Sequence, residues 1–333
     1  MASPYTQQRE YFMKKKYVIT LSLLLSNLLF TSPVQCTDLA DPKTQTIGDP
    51  KGTNFPMDGE GRVYHLGLKR GELANRILLV GDPERAKLIR ELLDNPETSF
   101  AYVSNRGFTT YTGTKNGKPI SIMSIGMGMP MMDFAIREIR AITDGPLAII
   151  RLGSCGTPRR DVSIGTVVVA NHSYGITTDY DAYHTKMLPE KYFKVTLPLS
   201  PDLVLHNKLV DALSTSSSGL FPVLEASDAT ADSFYGSQGR IDVNFDDRNP
   251  ELIDQILEQH PDTGSLQMET FHLYHLAKLN GYAQKNDKVI RAAACAIVLA
   301  QRKSDDFLPN EIKHMIEKRA GSACLQALVD FEF

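Results

Sequence analysis

The chain has 333 residues, 42% of them hydrophobic and 23% charged, with a formal net charge of -3. These values suit one large α/β core or two small ones and argue against a nucleic-acid binder. Its four cysteines, Cys36, Cys155, Cys295 and Cys324, are too few and too scattered for a disulfide framework or a paired-cysteine zinc site.

At the amino terminus, Met13-Lys-Lys-Lys16 precedes an uncharged apolar run from Tyr17 to Phe30 and then Thr31-Ser-Pro-Val-Gln-Cys36. A basic start, a short apolar run and small residues at Val34 and Cys36 have the shape of a secretory signal. The run is short for a membrane span, so no stable membrane anchor is expected. A start codon placed too far upstream is the competing reading, since residues 1 to 12 are unusual ahead of a signal. The mass of the mature amino terminus separates the two. Residues 1 to 60, which include Asp41-Pro-Lys43 and Gly48-Asp-Pro-Lys-Gly52, read as a signal-like segment and linker outside the fold, and residues 61 to 333 as one domain.

Arg76 to Val80 reads as the first core strand, turned by Gly81-Asp82-Pro83 into a helix from Glu84 to Leu93. That turn frees backbone N–H groups at a helix start and carries Arg85 nearby; it is either a plain turn or an anion site. Phe108 to Gly113 and Pro119 to Ser124 bracket Asn116-Gly117, a hairpin signal. Ser124-Ile-Gly-Met-Gly-Met-Pro130 then leads into a helix running to Thr143, with Asp133 as its cap or early in its first turns. Ala148 to Ile150 is a buried strand, with Arg151 at its carboxyl end and Gly153-Ser154-Cys155-Gly156 as a loop. A cation, a hydroxyl and two glycines beyond a strand suggest a phosphate seat; a salt-bridged arginine and an ordinary turn is the plainer alternative.

Gly165 to Ala170 is another strand, residues 171 to 200 have no clear period and read as an irregular insertion near a site mouth or a subunit contact, and Asp202 to Leu213 is helical. Phe221 to Ala226 returns as a strand. Ser227 to Asn249 looks too rich in Gly, Asp and Ser for regular structure, and Phe234, Tyr235, Gln238 and Arg240 within it favour a functional loop. Pro250 to Gln259 is a helix, Ser265 to Met268 a short strand, Glu269 to Asn280 a helix, Val289 to Ala300 a buried strand and Glu311 to Leu328 a closing helix. The alternation predicts an α/β fold: a single domain with a mixed, mainly parallel central sheet flanked by helices on both faces.

With Arg151-Leu-Gly-Ser-Cys-Gly156, Gly81-Asp-Pro-Glu-Arg85 and Gln267-Met-Glu269 in hand, the chain resembles the nucleoside phosphorylase superfamily of the one-domain α/β type. Val63 to Leu68, Asn105 to Thr110 and Phe234-Tyr-Gly-Ser-Gln-Gly-Arg240 narrow the likeness to the uridine phosphorylase family, and it runs from about Val63 to the carboxyl end. The resemblance implies phosphorolysis of uridine to uracil and ribose 1-phosphate, with inorganic phosphate as co-substrate and no organic cofactor or metal. It also implies a homodimer or higher oligomer with shared sites, and a cytoplasmic location that the signal-like segment opposes. Phosphate would be held by Gly81, Arg85, Arg151, Ser154 and Arg106, the last from the neighbouring subunit. His65, Met268 and Glu269 would bind ribose, His65 reaching across the subunit contact. Phe234, Gln238 and Arg240 would bind the base, with Arg151, Arg240 and Glu269 as the catalytic set.

Three positions depart from the family pattern. Gln267 stands where many members carry glutamate; Gly107 and Met131 stand where bacterial members carry a glutamate and a serine that help bind a monovalent cation, so that cation is not expected. Glu269-x-x-His272-x-x-His275 shares one helix face, but nothing else in the chain completes a metal site. Cys155 reads as a small spacer in the phosphate stretch. The rivals are a purine nucleoside phosphorylase or nucleosidase of the same fold and a non-catalytic storage or binding relative. A purine enzyme would need an acidic donor in the strand-end loop, which here reads Leu299-Ala-Gln-Arg302, with Asp305 and Asp306 further along.

Overall fold

A computed structural model describes residues 42–184, 191–283 and 287–333. The signal-like stretch from Met13 to Cys36 lies outside the described residues. No helix among the described residues is long and apolar enough to cross a membrane.

The fold is mixed α/β. In chain order the strands are β1 (Thr44–Gln45), β2 (Arg76–Val80), β3 (Phe100–Ser104), β4 (Thr109–Lys115), β5 (Lys118–Ser124), β6 (Leu147–Thr157), β7 (Val167–Thr178), β8 (Phe193–Val195), β9 (Val223–Ala231), β10 (Thr263–Gln267), β11 (Ile290–Gln301) and β12 (Asp306–Phe307). The helices are α1 (Pro83–Arg90), α2 (Met129–Ile142), α3 (Tyr180–His184), α4 (Leu203–Ser217), α5 (Leu252–Gln259), α6 (Thr270–Ala283) and α7 (Asn310–Asp330). Among the described residues all strands join one sheet in the order β1-β3-β4-β5-β2-β6-β10-β9-β7-β11-β12, with β8 on β7. Its long central pairings, β2 with β5 and β6, β6 with β11 and β7 with β9, are parallel. Because β11 also pairs with β6, strands β6, β10, β9, β7 and β11 close on themselves as a small barrel.

Period-two alternation sorts the strand side chains to opposite faces. Leu78, Val80, Ala148 and Ile150 pack with Ile89 of α1, Leu209 of α4 and Leu325 of α7. Ile77, Leu79 and Ile149 pack with Ile136 and Ile139 of α2 and Leu273 of α6 on the other face. Asn116 and Gly117 both take positive φ, 50° and 73°, in the two-residue turn joining β4 to β5, as the Asn-Gly signal requires.

Four expectations need correction. Gly153 to Gly156 is not a loop: β6 runs on to Thr157, paired along its length with β11, so Arg151 sits mid-strand and these backbone groups serve the sheet. Residues 171–178 continue β7, and α3 and β8 follow, so among the described residues this stretch carries two strand segments and a short helix. Ser227 to Ala231 belongs to β9, leaving the loop to begin after it. Thr44 and Gln45 do join the sheet, pairing with Val103 and Ser104, while Asp58 organises the stretch itself by accepting the N–H groups of Gly48, Glu60 and Arg62 at 3.1, 2.9 and 2.8 Å. Backbone pairing at a sheet edge needs no apolar period, which is why composition alone placed the boundary at residue 61.

Candidate active site

A cavity of about 610 Å³ opens where β2, β6, β10 and β11 end or are bordered by the loop after β9. It is lined by Gly81, Arg85, Arg151, Ser154, Phe234, Gln238, Arg240, Met268 and Glu269, which brings together nearly every residue singled out in the sequence. Arg106 and His65 are not among its lining residues. They sit together elsewhere: Arg106 Nη2 donates to the Tyr64 hydroxyl at 2.9 Å, the rings of Tyr64 and His65 meet edge-on at 5.1 Å, and His65 Nδ1 lies 2.6 Å from Glu138.

Part of the cavity's lining is a charged cluster. Arg151, 4% exposed, pairs through Nη2 with Glu269 Oε2, and Glu269 Oε1 accepts the Gly128 N–H at 2.6 Å. The Nε and Nη1 atoms of Arg151 are buried with no hydrogen-bond partner. Buried guanidinium donors left unmatched are costly, and these two remain available to acceptor oxygens. The guanidinium lies across Gly153, where a methyl group would meet Nη1 at 1.8 Å. Gly153 is therefore needed as space for the arginine rather than as a turn. Arg85 is buried beside it, with Nε on Glu317 at 2.8 Å and Nη1 on the Leu152 carbonyl at 3.2 Å. The turn before α1 has the expected geometry: Asp82 caps it by accepting the Glu84 N–H at 2.9 Å.

In another part of the lining the loop after β9 presents an amide and a cation. Arg240 Nη1 donates to Gln238 Oε1 at 3.1 Å, and its guanidinium carbon stands 3.8 Å from the centre of the Phe234 ring. Asn249 Nδ2 ties the loop by donating to the carbonyls of Gly236 and Arg240 at 2.8 and 3.0 Å. Sequence reasoning missed Arg302, which was read only as part of a stretch lacking an acid. It clamps the same loop, donating to the Gln238 and Gly239 carbonyls at 2.9 and 3.0 Å. Burial, with a smaller contribution from the Arg302 charge, pushes Arg240 down to about 10.

Asp133 lies inside α2 rather than at its cap, which is Gly128, and pairs with Arg137 at 2.8 Å. His272 faces Asp133 at 3.4 Å while Glu269 turns to Arg151; among the described residues no group of three or more His, Cys, Asp or Glu side chains gathers as metal ligands. Burial pushes the Cys155 thiol well above its ordinary range, which suits a spacer rather than a nucleophile.

Residues 75–327 match the family model described as Phosphorylase superfamily. A uridine phosphorylase of Thermococcus kodakarensis is 31% identical over 255 residues, covering 76% of this chain and 82% of the relative. A DeoD-type purine nucleoside phosphorylase of Bacillus subtilis is 32% identical over 218 residues, 65% of this chain and 81% of the relative. A solved structure from a study of two diverse uridine phosphorylases in the oomycete Phytophthora capsici superposes with a TM-score of 0.81 at 37% identity, covering 86% of this chain and all of that one.

Proposed function

The chain belongs to the phosphorylase superfamily, and from the cavity described above we propose that it is a pentosyltransferase cleaving uridine with inorganic phosphate to uracil and ribose 1-phosphate. The observation that carries this is one cavity lined both by Arg151, with its unmatched donors, and by the Gln238–Arg240 pair. Arg85, Arg151, Ser154 and the Gly81 turn hold the phosphate dianion. Glu269, whose two oxygens keep acceptor capacity beyond Gly128 and Arg151, takes ribose hydroxyls over Met268. Gln238 and Arg240 grip the uracil edge beside Phe234.

As the C1'–N1 bond lengthens, its electron pair moves onto uracil, where Arg240 and Gln238 meet the growing negative charge. The sugar becomes cationic and is drawn to the phosphate, whose oxygen forms the new bond to C1'. Catalysis is positional and electrostatic, and the reaction needs no organic cofactor or metal. A purine would want an acidic partner near the base; Asp305 and Asp306 are exposed and not among the cavity's lining residues. Purified protein should release uracil from uridine only with phosphate present and faster than it cleaves inosine. Equal rates without phosphate, or a preference for inosine, would refute the reading.

One further expectation follows from the same geometry. Arg106 and His65 act on the neighbouring subunit's cavity in this reading, which makes a homodimer with shared sites part of the mechanism. Inactive Arg106→Ala and Arg151→Ala proteins, mixed and reassembled, should regain about a quarter of wild-type activity, since half the dimers carry one intact site of two. No recovery on mixing would place both residues' function within one chain.

A further inference from the structure

Beneath the cavity lies a buried polar cluster that the reaction above does not use. Ser173 on β7, Asp228 and Thr230 on β9, and Ser265 and Gln267 on β10 share one face of three adjacent strands, Asp228 opposite both Ser173 and Ser265, and Thr230 opposite Gln267. Asp228 is 1% exposed. Its Oδ1 accepts from Ser265 at 2.6 Å, and its Oδ2 accepts from Ser173, Thr230 and Gln267 Nε2 at 2.7, 2.9 and 2.6 Å. Burial outweighs the opposing pull of these four donors and leaves its pKa raised.

The Gln267 amide is where the cluster meets the site. Its Oε1 accepts the backbone N–H of Glu269 at 2.7 Å and of Thr270 at 3.3 Å. Backbone N–H groups can only donate, so the amide oxygen must face them and Nε2 must point away. There it donates to Asp228 Oδ2 and to Thr230 Oγ1, both at 2.6 Å. Thr230 Oγ1 in turn accepts the Phe271 N–H at 2.8 Å. The N–H groups of Glu269, Thr270 and Phe271, which open α6, are thus held from below by two side chains that both answer to Asp228.

We propose that Asp228 is a positioning residue for Glu269: its acceptor-only carboxylate locks the Gln267 amide in the orientation that seats the start of α6 and so aims Glu269 at the sugar. The inference rests on the role given to Glu269 above. A cluster that merely knits three strands together would give the same hydrogen bonds, so the test must read hydroxyl recognition as well as rate.

The experiment is a set of variants assayed with uridine, 2'-deoxyuridine and inorganic phosphate. Gln267→Glu sets two carboxylates at the 2.6 Å spacing of the present bond and should lower kcat/KM for uridine about a hundredfold. Adding Asp228→Asn lets an amide donate to the new carboxylate and should bring the rate back to within about tenfold of wild type. Asp228→Asn alone keeps an acceptor for Gln267 and should stay within about threefold, whereas Asp228→Ala should lose about thirtyfold. In Gln267→Glu and Asp228→Ala the loss should fall more heavily on uridine than on 2'-deoxyuridine, because a misplaced Glu269 loses a hydroxyl contact. Equal losses on both substrates, or no repair of Gln267→Glu by Asp228→Asn, would overturn the proposal. Melting temperatures of the same proteins separate the two readings: if wild type releases no uracil yet Asp228→Asn restores the stability lost in Gln267→Glu, the proposed reaction falls and the amide lock stands. Absence of that thermal repair overturns the lock even if uridine is cleaved.

Discussion

Arg240→Ala is expected to lower kcat/KM for uridine phosphorolysis at least about a hundredfold, with kcat falling as much as kcat/KM. The arginine is fixed before substrate arrives: Phe234 lies under its guanidinium, Gln238 accepts from Nη1, and Asn249 anchors its carbonyl. A donor held this way needs no reorganisation when charge develops on the leaving uracil, and that is when it matters most. Binding of uridine in the ground state depends more on shape and stacking, so KM should move less. Arg240→Lys keeps the charge but not the planar fork and should recover only part of the loss. A variant that raises KM alone would mean that Arg240 serves ground-state binding.

Glu269→Ala should be the most damaging single change, because it strikes activity and stability together. Glu269 is 2% exposed and Arg151 4% exposed, and each is the other's counter-charge. Deleting the carboxylate leaves a buried guanidinium unpaired, at a cost of about 3–5 kcal/mol in unfolding free energy. It also removes the ribose acceptor and frees the Gly128 N–H, so uridine turnover should drop about a thousandfold. Inorganic phosphate offers Arg151 a replacement anion, so millimolar phosphate should raise the melting temperature of Glu269→Ala more than that of wild type. An equal rise in both proteins would contradict the placement of phosphate beside Arg151.

Much of this site could be read from sequence because its residues fall at the ends of legible elements. Gly81 and Arg85 follow an unbroken apolar strand, Glu269 opens an apolar-periodic helix, and Asn116-Gly117 dictates the hairpin that orders β4 and β5. Other features were hidden for physical reasons. Ser173, Asp228 and Thr230 are polar, and polar residues in sequence read as loop; in the fold they are buried and satisfy one another across strands, so β7 and β9 run further than hydropathy suggests. Gly153 looked like a turn because the clash it avoids comes from a side chain two residues back in the same strand. The closure of β6 onto β11 joins residues well over a hundred positions apart, which no local pattern encodes. Arg302 acts through two backbone carbonyls, and no motif announces such a partner.

The most direct measurement follows labelled inorganic phosphate during uridine cleavage by the purified protein. One labelled phosphate should appear in ribose 1-phosphate for each uracil released, and Arg151→Ala should abolish both products together. Uracil released alongside free ribose, with the label left in inorganic phosphate, would show that water is the nucleophile and that Arg85 and Arg151 in the cavity have another purpose.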